Sequence, residues 1–298
     1  MTNNPFKRIK HHIARAVVAV LVTLALHCDS ALARRLIPDN NLGYPVLITL
    51  KSKGKLVSSG SGIYISFADS IYLVTAKHVL DSGLPDPWTN QIQYPDLVVE
   101  LLSYSKDLPV PQRNAFAFEL AAFRNSGALK LHQSRDLAAI KIGVTAKQAD
   151  GSLRILYATG VSVLETCPSG ILVAGMETIR TFDQVLIGNE AILYGYPASL
   201  GFPDNHQFDP LRPLLRKGLI AAADPQRRTL VIDGAVYRGN SGGPVFEIDQ
   251  DFPQTHYYLV GISTEFIPLV QATEDFKMQF NSGYSVAEPM DFVLELIR

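Results

Sequence analysis

The chain has 298 residues, room for one large domain or two small ones, and its 47% apolar and 18% charged side chains exclude intrinsic disorder as the main state. A net charge of −1, from 27 basic and 28 acidic residues, leaves no surplus for holding a phosphate backbone, so nucleic acid is not an expected partner. Two cysteines, Cys28 and Cys167, are too few for a disulfide-stapled scaffold or a zinc ribbon, so stability must come from a packed core.

Residues 1–33 read as a secretory signal peptide. Basic Lys7, Arg8, Lys10 and Arg15 precede the uncharged run Ala16 to Cys28, and Ala31-Leu32-Ala33 is a small-x-small cleavage site. The run is shorter than the roughly 18 to 20 apolar residues of a membrane span, so no stable span is expected unless the leader is kept as an anchor. His27 stands where lipoprotein processing at Cys28 wants a small residue. Cleavage after Ala33 leaves 34–298 as a mildly acidic chain, secreted or periplasmic. Cys167 then has no partner for an internal disulfide and, with no histidine near it in sequence, reads as a small half-buried side chain beside Pro168.

From Gly43 the chain reads as short strands and turns. Val46–Leu50, Gly62–Ser66 and Ile71–Thr75 are rich in β-formers and are separated by turns at Lys53-Gly54-Lys55 and Asp69-Ser70, an antiparallel meander. Further strands are expected at 97–103, 115–119, 137–144, 191–195, 230–232 and 257–263. No run of period 3.6 and no alternation of strand with helix interrupts them, so an all-β barrel or sandwich follows. One helix is expected, Pro289–Arg298, with Pro289 in its first turn and Phe292, Val293, Leu296 and Ile297 as an apolar stripe. Residues 81–96 and 196–216 are polar and Pro-rich, and read as surface loops.

The leader removed, four histidines remain: His78, His132, His206 and His256. His78 stands apart because Thr75-Ala76-Lys77-His78 closes a strand and opens a short turn, where rigid scaffold meets loop. The nucleophile candidate is Ser241, within Arg238-Gly239-Asn240-Ser241-Gly242-Gly243-Pro244. Glycines there let the backbone adopt conformations other residues avoid, so that the Gly239 and Ser241 N–H groups can point at one oxyanion.

Gly239-x-Ser241-x-Gly243 also matches the nucleophile elbow of α/β-hydrolases. Those run serine, acid, histidine, with the serine between strand and helix. Here the only later histidine is His256, and Pro244-Val245-Phe246 continues as extended chain. The order His, Asp, Ser fits instead, with Asp136 immediately before the apolar run Leu137–Ile142. A carboxylate there is expensive to bury without a donor, and an imidazole N–H is the natural one.

In Thr75-Ala76-Lys77-His78-Val79, Asp136-Leu137-Ala138-Ala139-Ile140 and Gly239-Asn240-Ser241-Gly242-Gly243-Pro244 the chain resembles the chymotrypsin-fold serine endopeptidases. Gly60-Ser61-Gly62-Ile63, Tyr194-Gly195-Tyr196-Pro197, Lys217-Gly218-Leu219-Ile220 and Gly283-Tyr284-Ser285-Val286 resemble landmarks of the bacterial HtrA/Deg-like branch. The resemblance covers residues 43–298 and leaves no stretch for the PDZ domains of that branch. It implies two six-stranded antiparallel β-barrels, about 43–145 and 155–280, a short C-terminal helix over 289–298, and a cleft between the barrels.

It further implies polypeptide substrates, no metal or organic cofactor, and a triad of His78 as base, Asp136 as its orienter and Ser241 as nucleophile. Substrate binding is expected at Ala235, the floor of the pocket for the side chain before the scissile bond, and at Ser263 and Thr264 on its wall. With no carboxylate at the floor, cleavage after small or medium uncharged residues is expected, unless Glu265 turns inward and recruits Arg or Lys. The residue before the serine is Asn240, not the aspartate that captures a freed N-terminus in the digestive enzymes, so no activation cleavage is expected. Two other readings keep the same fold: an inactive binding or scaffold protein, and a secreted esterase.

Overall fold

A computed structural model describes residues 37–38, 40–87, 89–105, 112–197, 209–251, 254–272 and 277–298. The leader, its cleavage site after Ala33, Cys28 and His206 lie outside the described residues. Asp39–Arg298 packs as one unit.

The meander forms where the alternating β-formers place it. Strands β1 (Pro45–Ser52), β2 (Lys55–Phe67) and β3 (Ser70–Thr75) pair antiparallel, and every residue of β3 is buried. Both connections are two-residue turns with positive φ at both positions, Lys53-Gly54 (49° and 75°) and Ala68-Asp69 (43° and 63°), whose twist matches that of the flanking strands. The second turn thus falls one residue before the expected Asp69-Ser70.

β4 (Val98–Tyr104) and β5 (Arg113–Glu119) extend this sheet from the free edge of β1. After a short helix α1 (Leu120–Asn125) come β6 (Leu129–Leu131), β7 (Ala138–Lys147), β8 (Leu153–Tyr157) and β9 (Ser162–Glu165). The result is a nine-stranded sheet ordered β6-β7-β3-β2-β1-β4-β5-β9, with β8 also on β7, rather than a ring of six strands. Its curved inner face holds a core that includes Ile48, Tyr64, Leu73, Leu101, Phe116 and Ile140. β8 and β9 pair with β7 and β5 and so belong to this first sheet.

The second half closes as the expected six-stranded barrel, β10-β11-β12-β15-β14-β13. Its strands are β10 (Glu190–Gly195), β11 (Leu214–Asp224), β12 (Thr229–Asp233), β13 (Pro244–Asp251), β14 (Gln254–Ala272) and β15 (Lys277–Pro289). Leu193, Ile220, Ile232, Val245 and Val260 fill it. The chain ends in α2 (Met290–Ile297), whose Phe292, Val293, Leu294 and Ile297 are buried. Pro289 is extended (φ −61°, ψ 154°) and caps this helix from outside instead of sitting in its first turn. Residues 81–96 form a loop with one turn of 3-10 helix at Asp81–Gly83 and a single bridge from Pro85 to Ile92. Leu84 from this loop and Leu97 just after it sink into the first core.

Candidate active site

The pairing of β3 with β7 brings His78 and Asp136 together. Thr75 lies opposite Ala138, so His78, just past the end of β3, faces Asp136, just before the start of β7. A 3-10 turn, Lys77–Val79, carries His78 outward while Ala76, Val79 and Leu80 stay buried beneath it. Asp136 accepts twice from the same residue: the His78 backbone N–H donates to Oδ1 at 2.9 Å, and ring Nδ1 lies 2.6 Å from Oδ2. This places the ring proton on Nδ1 and leaves Nε2 as the lone-pair nitrogen.

The electrostatics agree with the geometry. The hydrogen bond to Asp136 is the largest cause holding His78 above its ordinary value, against burial, with the Asp136, Asp81 and Glu265 charges adding to it. Burial alone would raise the Asp136 carboxyl, but the two His78 hydrogen bonds and its charge pull it below the usual carboxylate range. Asp136 is therefore ionised whenever His78 titrates.

Ser241 lies in the turn between β12 and β13, and the reason for its glycines is now geometric. Gly239 and Gly242 have φ of 96° and 86°. A Cβ at Gly242 would collide with the Ser61 carbonyl oxygen and the Thr75 hydroxyl, and one at Gly243 with the Tyr194 carbonyl oxygen. The turn is wedged between β2, β3 and β10, which fixes where the serine can be. Within it the Asn240 N–H donates to Tyr237 O and the Gly243 N–H to Asn240 O, both at 2.9 Å. Neither the Gly239 nor the Ser241 N–H has an acceptor among the described residues, the state expected of donors kept for an oxyanion.

On the barrel side, β14 holds the same turn. Gly242 N–H donates to Ser263 O at 2.7 Å, Ser263 N–H to Gly243 O at 2.9 Å, and the Ser241 hydroxyl to Thr264 O at 3.2 Å. Among the described residues no hydrogen bond links that hydroxyl to His78. Unliganded sites commonly hold nucleophile and base more loosely than the reaction requires.

Of the expected binding residues, Ser263 and Thr264 flank the serine turn but are themselves 2% and 5% exposed, so they meet the cleft chiefly through their backbone. Ala235 is half-buried in the extended segment ahead of the turn, which is tied to β15 by Gly234 N–H to Gly283 O and by the Asn281 side-chain amide to Val236 O. Glu265 is exposed and close enough to His78 to act on its charge.

His132 and His256 lie elsewhere. The former accepts the Ser134 and Arg135 N–H groups on Nδ1 and sets Nε2 3.3 Å from Glu295, and the latter stacks on Tyr258. Cys167 is buried against Asn114, deeper than the half-buried place its sequence context suggests.

One residue that the motif reading does not single out is Ser61, which joins the two halves. Its hydroxyl donates to Gly239 O at 2.7 Å and accepts the Tyr196 N–H at 3.0 Å. Its N–H donates to Ser241 O at 2.8 Å, and its carbonyl accepts the Thr75 hydroxyl at 2.7 Å. The sequence signal was its place between Gly60 and Gly62. A Cβ at Gly60 would press on Val79 at 2.6 Å, so the serine turn and the histidine turn pack on this one stretch of β2.

Among known proteins, the family model for a trypsin-like peptidase domain matches residues 60–252. No curated protein matches the chain in sequence. Similar solved structures include a serine endoprotease from Yersinia pestis (18% identity, TM-score 0.44, covering 85% of this chain and 61% of that one). The HtrA-type protease AlgW with a tripeptide is 16% identical at TM-score 0.45, over 85% of this chain and 58% of that one. The thermostable serine protease AL20, from an extremophilic microorganism, is 15% identical at TM-score 0.46, over 86% and 95%. The chain thus spans about three fifths of the length of the first two.

Proposed function

The chain belongs to the trypsin-like peptidase domain family, and on that premise we propose that it is a serine endopeptidase, secreted or periplasmic, working through an acyl-enzyme on Ser241. The observation that carries this reading is the double contact of His78 with Asp136, which fixes the tautomer and orientation of a base. In the proposed reaction the Ser241 hydroxyl gives up the Thr264 carbonyl for His78 Nε2, loses its proton there and attacks a peptide carbonyl. The Gly239 and Ser241 N–H groups receive the oxyanion, and His78 returns the proton to the leaving amine. Water then repeats the relay on the acyl-enzyme.

Ala235, with the Ser263 and Thr264 backbone, is the proposed pocket for the side chain before the scissile bond, and the absence of a carboxylate at Ala235 favours small or medium uncharged residues. Removal of the leader after Ala33 is the proposed route out of the cytoplasm. Among the described residues no helix is long and apolar enough to cross a membrane.

An active-site-directed phosphonate tests the assignment. It should label the wild type and not Ser241→Ala, and the labelled protein should have lost peptide turnover. A folded wild type that takes no label would be a scaffold, and ester turnover without peptide turnover would make it an esterase. A peptide-library profile led by Arg or Lys, and abolished by Glu265→Gln, would overturn the uncharged pocket.

A further inference from the structure

β14 presents one edge to two partners in turn. From Gln254 to Ile262 that edge pairs with β13, and at Ser263 and Thr264 it holds the serine turn. Beyond Glu265 the strand runs on to Ala272, paired only with β15 on its other side, and among the described residues nothing occupies the edge that held Ser241. A two-stranded ribbon, Phe266–Ala272 against Lys277–Ser285, therefore extends past the barrel, starting at the nucleophile. Seven residues of strand at about 3.3 Å each make it roughly 23 Å long.

The ribbon's two faces differ. Leu269 lies opposite Phe280 and Gln271 opposite Met278, so these four share a face, and Leu269, Phe280 and Met278 are 52%, 42% and 43% exposed. The other face carries Pro268 and Asn281, Val270 and Gln279, Ala272 and Lys277. An open edge and an apolar face are what an added strand needs: backbone groups to pair with, and side chains to bury at alternate positions. Pro268 has no N–H to give, which leaves Leu269–Ala272 as the segment for pairing beyond the bulge between Phe266 and Pro268.

We propose that this ribbon is a distal substrate-binding surface, and that the enzyme prefers extended polypeptide with apolar side chains at alternate positions well to the N-terminal side of the scissile bond. The occupant follows from continuity: a chain whose carbonyl sits at Ser241 and which pairs with the same edge has the open part of β14 as its next support. β14 runs away from the serine, so an antiparallel partner runs toward it, and the residues on the ribbon precede the bond that is cut. The proposal rests on the protease reading above.

The test compares kcat/KM for peptides of one cleavage sequence carrying about four residues before the scissile bond, about ten with Leu or Phe at alternate positions, or the same extension placed after the bond. We expect the N-terminal extension to raise kcat/KM by about tenfold and the C-terminal one not to. Leu269→Ser with Phe280→Ser should abolish this long-to-short ratio, whereas Val270→Ser, on the other face, should keep it. A ratio near one in the wild type, or a gain from the C-terminal extension instead, would overturn the proposal. So would a ratio unchanged in the double variant. The protease reading survives any of these results as long as the short peptide is cut and Ser241→Ala does not cut it, while absence of any cleavage overturns both.

Discussion

The hydrogen bond between His78 Nδ1 and Asp136 Oδ2 sets the expected pH dependence. A base must be neutral to accept a proton, and Asp136 favours the protonated ring, so the acid limb of kcat/KM should lie above the ordinary histidine value of about 6.5. Asp136→Asn removes the cause, and should move that limb down while lowering the plateau by about 10⁴-fold. A limb that stays in place would mean that another group titrates there. Similarly, His78→Ala should lower kcat by about 10³-fold or more, and His132→Ala or His256→Ala should not, as steady-state turnover would read directly.

Ser61 is the other residue with a sharp expectation. Ser61→Ala leaves the Gly239 carbonyl and the Tyr196 N–H without their buried partner, a loss of about 1–3 kcal/mol each at most, so the melting temperature should fall by several degrees and kcat with it. Threonine at the same place keeps the hydroxyl but must fit its methyl beside Gly239, and should recover part of both. At this scale His78, Asp136 and Ser241 stand out as candidates in the sequence because each carries a local signature: a strand end, a carboxylate before an apolar run, a glycine-rich turn. Ser61 does not, because its hydroxyl meets Gly239 across 178 positions of sequence.

Among elements, the loop from His132 to Leu137 that presents Asp136 is fastened to the far barrel. Arg135 donates to Arg227 O at 2.7 Å, sits 3.6 Å from Glu288 on β15, and lays its guanidinium 4.0 Å from the Phe292 ring of α2. His132 meets the same ring edge-on, with centroids 5.5 Å apart. Phe292→Ala removes the surface that both rest on and should destabilise the protein by about 3–5 kcal/mol in a denaturant titration. Arg135→Gln shortens the side chain and loses the charge, so the contacts to Arg227 O, Glu288 and the Phe292 ring go together. It should lower kcat more than it changes KM, and a variant with both constants unaltered would show that the clasp does not hold Asp136.

The strands that the sequence made plain are those with buried, β-branched runs, such as β1, β3 and β7. β8 and β9 are mostly exposed and β15 is of mixed composition, so their extended conformation comes from pairing with neighbours rather than from their own pattern. The helix α1 is too short to show a period.

At the scale of the molecule, a nine-stranded sheet carries His78 and Asp136 at its strand ends, and a six-stranded barrel carries Ser241. The all-β class and the closed second barrel followed from the sequence. The extra strands of the first sheet did not, because nothing in a short exposed segment says which edge it will find. The serine turn is already wedged in place between β2, β3 and β10, and the residue before Ser241 is the buried amide Asn240, which cannot form an ion pair with a freed N-terminus. A chain beginning at Arg34 should therefore be active as made, with mass spectrometry showing no further trimming. An inert Arg34 form that gains activity only after an internal cut would contradict this.

The most direct measurement is hydrolysis of casein and of a peptide library by the chain beginning at Arg34, beside its Ser241→Ala variant, with circular dichroism confirming that both are folded. We expect cleavage by the first and none above background by the second. Cleavage that survives the substitution would contradict Ser241 as the nucleophile and, with it, the catalytic role given to His78 and Asp136.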